Sequence, residues 1–217
     1  MIKKYFEETG MFVDWTQLKK LPEIDTLIDI GVGPNGTPDL YERFPLAKLI
    51  LIDPLEEARN FALNKLKNRD YTFFQTALGK FDGLESIINV QSELGSSSIL
   101  KVSEINYIDN TNDKRKITIN RLDSIINEVN EMGRIGIKID VEGFELDVIY
   151  GSSQTLKNAS FVLAEVRHNH ESFDGVYGLS DFIYEMQKNK YILTMILTTK
   201  PFIADLCFQP IDNLNLF

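Results

Sequence analysis

LIDIGVGPNG, Leu27 to Gly36, is the stretch from which the fold is read. A short apolar segment carrying one acid, Asp29, runs into a bend with Gly31, Gly33 and Gly36 and then leads toward a helix. Glycine has no Cβ, so such a bend lets the backbone pass very close to a ligand. A strand end followed by a helix N-terminus also presents free N–H groups, where nucleotide-type cofactors bind. The spacing Gly31-x-Gly33-x-x-Gly36 also fits the dinucleotide fingerprint, so the segment alone leaves the cofactor open.

Outward from this bend, strands and helices alternate. Apolar runs at 26–30, 48–53 and 71–76 read as strands, with helices expected over 37–44, ended by Pro45, and 56–67, where Ala58, Phe61, Ala62 and Leu66 share a face. The region 83–120 breaks the rhythm: 84–90 is a candidate extra strand, 106–116 a polar loop, and 117–121 a half-buried strand. Leu122, Ile125, Ile126 and Val129 mark a helix with Asp123 as its expected N-cap. A strand at 135–139, a helix through 143–150 and a strand at 161–166 follow, then a helix carrying Leu179, Phe182, Ile183 and Met186. Strands 191–198 and 204–209 are too close for a crossover helix and form a hairpin. The expectation is an α/β fold, a doubly wound and mostly parallel sheet with one antiparallel strand. Residues 1–24, with Phe6, Met11, Phe12, Trp15 and Leu18, form an N-terminal helical extension packed on the body, with a lid as the alternative.

Composition narrows the function. The 217 residues suit one domain, 43% hydrophobic and 25% charged as in ordinary globular proteins. With 23 Lys and Arg against 32 Asp and Glu, the net charge of −9 argues against nucleic acid as a partner and does not oppose a cationic small ligand. No run approaches a membrane span or a secretory signal, and the single Cys207 reads as core packing, so a cytoplasmic location is expected.

In such sheets ligands sit beyond the carboxyl ends of the strands. Asp29 there is expected to meet a cationic ligand group. Asp53, about 20 residues after the glycines, suits a ribose diol, because charged acceptors hold hydroxyls strongly. Thr76, Ala77 and Leu78 could frame a flat base, and Ser96, Ser97 and Ser98 either touch a ligand or form a linker. In IGIKIDVEGFELDVIYG (Ile135 to Gly151), Asp140 projects into the expected cleft, whereas Glu145 is accounted for by the helix dipole and Lys138 needs an exit or an acidic partner. In FVLAEVRHNH (Phe161 to His170), Glu165 is an acid that must be satisfied, and His168 and His170 follow on a loop. Histidine suits proton abstraction near neutrality. No recognised metal-ligand spacing is present, so no metal is expected.

With LIDIGVGPNG, LILIDP, the TAL turn, the Gly95–Ser98 loop, INRLDSI, KIDVEGFELDVIYG and VLAEV in this order, the chain resembles the FkbM-type methyltransferases over about residues 26–210. Two departures stand out: the family's first loop reads more like GANxG, and the 106–116 loop is longer than common. The resemblance implies a seven-stranded, S-adenosylmethionine-dependent methyltransferase domain over 25–217. It also implies a role for each matching residue. Gly31, Gly33, Gly36 and Asn35 would hold the methionine part of the cofactor, Asp53 the ribose, and Ala77 and Leu78 the adenine, with Asp140 and Glu142 near the methyl and its acceptor. The expected activity is O-methylation of a small-molecule or glycan hydroxyl (a sugar, glycolipid, polysaccharide or polyketide-like metabolite), with Asp140, Glu142 or His168 as base. The competing readings are an NAD(P)-dependent oxidoreductase, which shares the glycines and Asp53, and a catalytically silent binding module.

Overall fold

The computed structural model describes residues 12–101, 113–129, 131–167, 174–200 and 202–213. Its central strands are β2 (Thr26–Ile30), β3 (Lys48–Ile52), β4 (Tyr71–Phe74), β8 (Ile135–Ile139) and β9 (Ala159–Arg167), all parallel. The C-terminal hairpin, β10 (Tyr191–Thr199) and β11 (Ile203–Pro210), inserts β11 antiparallel between β9 and β10. A two-residue strand, β1 (Phe12–Val13), pairs with the outer edge of β10. The order is β1-β10-β11-β9-β8-β2-β3-β4: the expected seven strands and one short edge strand.

Strand side chains alternate between the faces, and both faces here are covered. Ile28, Ile30, Ile50, Ile52 and Ile137 pack on one side, against α3 (Leu122–Ile126), α4 (Glu145–Tyr150) and α5 (Leu179–Lys188). Leu27, Leu49, Leu51 and Cys207 pack on the other, against α1 (Pro38–Arg43), α2 (Glu56–Lys65) and a 3-10 helix over Trp15–Lys20. Pro38 suits the first turn of α1, and Glu56 and Glu57 the positive end of α2.

The region that breaks the rhythm forms a second sheet, β5 (Ala77–Leu78), β7 (Lys114–Asn120) and β6 (Leu84–Asn89), around Leu55, Ile88, Ile117 and Ile119. The strand expected at 71–76 stops at Phe74, and Ala77–Leu78, read as a turn, joins the small sheet. Strand β7 begins at Lys114, inside the stretch read as loop, because Lys114–Lys116 pair with Ile87–Asn89. Asp123 does not cap α3, whose N-cap is Arg121. Its carboxylate instead accepts the Gln154 and Thr155 N–H groups and fastens the turn at the start of the 3-10 helix Thr155–Asn158. Phe6 and Met11, most of the 106–116 loop, and His168 and His170 lie outside the described residues. Among the described residues no helix is long and apolar enough to cross a membrane.

Candidate active site

Backbone pairing continues past the central strands and sets their ends side by side: Gly31 N–H donates to the Ile52 carbonyl, Asp140 N–H to Ile30, and Asp53 N–H to Phe74. A cleft of ≈ 320 Å³ opens over these ends. The three glycines of the bend have φ of +77° (Gly31), +60° (Gly33) and +61° (Gly36), the left-handed region that favours glycine. Only one of them leaves room for a ligand. A Cβ on Gly31 would lie 1.7 Å from the Asp140 carbonyl oxygen, and one on Gly36 would lie 2.5 Å from the Phe61 ring, whereas at Gly33 the nearest atom is 4.0 Å away. The close approach at Gly31 and Gly36 is thus between parts of this chain, and Gly33 faces the cleft.

Asp53 is fixed from both sides. Oδ2 accepts Gly33 N–H at 2.9 Å and Oδ1 accepts Leu55 N–H at 2.8 Å. Burial pushes its carboxyl up to about 6, against those two hydrogen bonds. Each oxygen has a further lone pair, so the carboxylate presents a preset double acceptor to a diol. Asn35, Ala77 and Leu78 line the same cleft, with Ala77 and Leu78 forming apolar wall beside Thr76.

Asp29 sits beneath the cleft instead of on its wall, correcting the expectation that it meets a ligand: it is 0% exposed. The cation it meets is Lys138, Nζ at 3.3 Å from Oδ1, and Oδ2 accepts the Tyr41 hydroxyl and, at 3.3 Å, Thr37. Lys138 also lies 3.3 Å from Asp140 Oδ2 and donates to the Gly31 carbonyl at 3.0 Å. Burial alone would lower its pKa, but the Asp140 and Asp29 carboxylates outweigh that and keep the ammonium charged. One buried cation thereby ties the glycine bend to the acid at the end of β8.

After β8 the chain turns through Glu142 (φ +54°) and Gly143 (φ +98°). Glu145, read as a dipole residue, anchors this turn: it accepts Val141 N–H at 3.1 Å, Gly143 N–H at 2.9 Å and the Tyr177 hydroxyl. Ser98 donates to the Glu142 carbonyl at 2.7 Å, so part of the serine loop is a brace and not a linker. The Glu142 carboxylate pairs with Arg167, yet burial, then Asp140, raises it to about 7 against that guanidinium.

Beyond the turn the cleft is bounded by Glu165 on β9, Asp205 opposite it on β11, Lys200 and Trp15. One oxygen from each of Asp140, Glu142 and Glu165 lies within 4.8 Å of the others, a crowding of like charges that a bound cation or protonation of one carboxyl relieves. Sequence reading flagged Glu165 without giving it a role and did not identify Asp205, Arg167 or Lys200. An acid inside the apolar run of IADLCFQP was the available signal for Asp205; Lys200 had none.

Among solved structures, the fold is similar to a putative S-adenosylmethionine dependent methyltransferase from Listeria monocytogenes (TM-score 0.49, 12% identity, covering 90% of this chain and 97% of that one). It is also similar to magnesium protoporphyrin IX methyltransferase from Synechocystis PCC 6803 with bound SAM (0.47, 12%, 90% and 74%). A third is a protein in the NADB-Rossmann superfamily from Streptococcus agalactiae (0.48, 12%, 90% and 67%). No curated protein matches the sequence significantly. Residues 30–193 match the methyltransferase FkbM domain, and the chain belongs to that family.

Proposed function

We propose that this protein transfers a methyl group from S-adenosylmethionine to a hydroxyl of a small-molecule or glycan acceptor. The observation that carries the reading is the pairing of Gly33 and Asp53. A carboxylate already held by two backbone N–H groups stands beside the one glycine of the bend whose Cβ position is open. That arrangement fits a nucleoside: the diol on Asp53, the base along Ala77 and Leu78, and the amino-acid part along Gly31 to Gly36 with Asn35. Asp29 contributes indirectly, by holding Lys138 and through it Asp140 and the Gly31 carbonyl.

The bound donor supplies a methyl group on a positively charged sulfur. The chain's own task is to position the acceptor in line with it, keep out water and take away a proton, because a hydroxyl is a poor nucleophile until its proton leaves. Asp140 and Glu142 line the acceptor side, and His168 stays a candidate for the base from outside the described residues. Membership of a methyltransferase family disfavours the nicotinamide alternative.

Side-by-side titration with S-adenosylmethionine and NAD(H) tests the donor: saturable binding of the former is expected, and binding of the nicotinamide alone would overturn the reading. Mass spectrometry of metabolite extracts incubated with enzyme and methyl-labelled donor then finds the acceptor. Label on an oxygen is the expected outcome, and label on nitrogen or carbon would replace the hydroxyl.

A further inference from the structure

Three carboxylates converge on the acceptor side of the cleft, and they differ in what holds them. Asp140 is 3.3 Å from the Lys138 ammonium, and Glu142 is paired with the Arg167 guanidinium. Both cations are buried, with side chains 10% and 14% exposed. A cation beside a carboxylate favours its charged form, and at Glu142, raised to about 7, that pull offsets only part of the effect of burial.

Glu165 is held more loosely. Its cation is Lys200, 3.6 Å from Oε2 on a side chain 43% exposed, and its carboxylate receives no hydrogen bond among the described residues. It also stands among like charges: Asp205 faces it across the β9–β11 ladder, and Asp140 and Glu142 approach from the end of β8. Among the described residues the Tyr177 hydroxyl also feels the Glu165 charge.

We infer that Glu165 is the catalytic residue that takes the proton from the attacking acceptor atom during methyl transfer. The inference rests on the donor reading above. As the acceptor oxygen bonds to the methyl carbon, the carbon–sulfur bond breaks with its electron pair left on sulfur. The O–H proton passes to a Glu165 carboxylate oxygen. A sulfonium and a carboxylate are consumed together, leaving a thioether and a carboxylic acid, both neutral.

The electrostatics of the site suit that exchange. Burial, then Asp140, Glu142 and Asp205, push Glu165 up to about 8 against Lys200. In the free protein these surroundings favour the protonated carboxyl. A cation entering the cleft favours release of that proton, and disappearance of the positive charge favours its return. The base is prepared by the arrival of the donor and refilled by the reaction itself.

Proton counting during binding tests this without knowledge of the acceptor. Calorimetric titrations at pH 7.5 with S-adenosylmethionine and with S-adenosylhomocysteine, each in phosphate and in Tris, give the protons exchanged on binding. The charged nucleoside is expected to expel roughly half a proton more than the neutral one. Glu165→Gln is expected to bind both and to lose the difference, and Glu165→Asp to keep part of it should Gln fail to fold. Equal proton counts in the wild type, or a difference that survives in E165Q, overturn the inference while leaving the donor reading intact. Binding of neither nucleoside overturns both. With methyl-labelled donor and a metabolite extract, E165Q should incorporate label about 10²- to 10⁴-fold more slowly. Undiminished incorporation removes Glu165 from the role.

Discussion

The two halves of the cleft are built from different materials. The half proposed to hold the donor is backbone: a bend of glycines, strand ends locked by main-chain hydrogen bonds, and one carboxylate oriented by two N–H groups. The half proposed to hold the acceptor is side chain: Asp140, Glu142, Glu165 and Asp205 set against Lys138, Arg167 and Lys200. Backbone geometry resists change, since moving it costs several hydrogen bonds at once. A lattice of charged side chains can be re-spelled residue by residue. The difference suggests a fixed grip on one ligand and an adjustable one on the other.

Lys138 is the seam between the halves, so its loss has the largest expected effect. Lys138→Met leaves Asp29 buried without its cation, which should cost about 3–5 kcal/mol in urea unfolding. Adding Asp29→Asn should recover part of that loss. An unchanged unfolding midpoint in K138M would show that the halves are not joined there.

The glycines sharpen the contrast within the donor half. Gly31→Ala drives a Cβ into the Asp140 carbonyl and should lower stability by about 3 kcal/mol or more, seen as a fall in melting temperature. Gly33→Ala meets open space and keeps only the left-handed strain, about 1–2 kcal/mol, yet it should weaken donor binding because it adds a methyl to a residue that lines the cleft. Equal effects of the two substitutions on stability and binding would erase the distinction between packing and ligand glycines.

The smallest effect is one of pH. Asp53 is raised to about 6, so below that pH it is protonated and one acceptor of the diol is lost. Affinity for S-adenosylhomocysteine, which carries the same diol and no sulfonium charge, should fall by about tenfold per pH unit below about 6 and be flat from there to about 7.5, by isothermal titration. The stability of the free protein goes the other way. Asp53, Glu142 and Glu165 hold protons in the folded state that the unfolded chain has released above about 4, so their contribution falls as pH rises from about 4 to about 8.

The same division decided what could be read from the sequence. Asp53, Gly33 and Asp140 fall at strand ends, and strand ends follow from apolar runs and turn residues, which are local. Asp29 was legible as an unusual acid in a buried strand, but its partner is 109 residues away, so its charge was assigned to the wrong cation. Glu165 was flagged as an acid in need of an explanation. The explanation lay in the β9–β11 register and in Lys200, neither of which any spacing announces. Asp123 looked like a helix cap because its position fitted one. Only the packing of the Gln154–Thr155 turn against α3 shows the donors it serves.

One strand of the hairpin runs against the grain of the others, and this has a consequence for how the enzyme can diversify. Its beginning, instead of its end, borders the cleft, so Asp205 and, from the connection before the strand, Lys200 reach the wall proposed to hold the acceptor, on a stretch of chain separate from Gly33 and Asp53. Exchanging residues at Lys200 or Asp205 would redraw that wall while the pairing of Gly33 and Asp53 stayed as it is, which makes this corner the natural place to graft a new substrate preference.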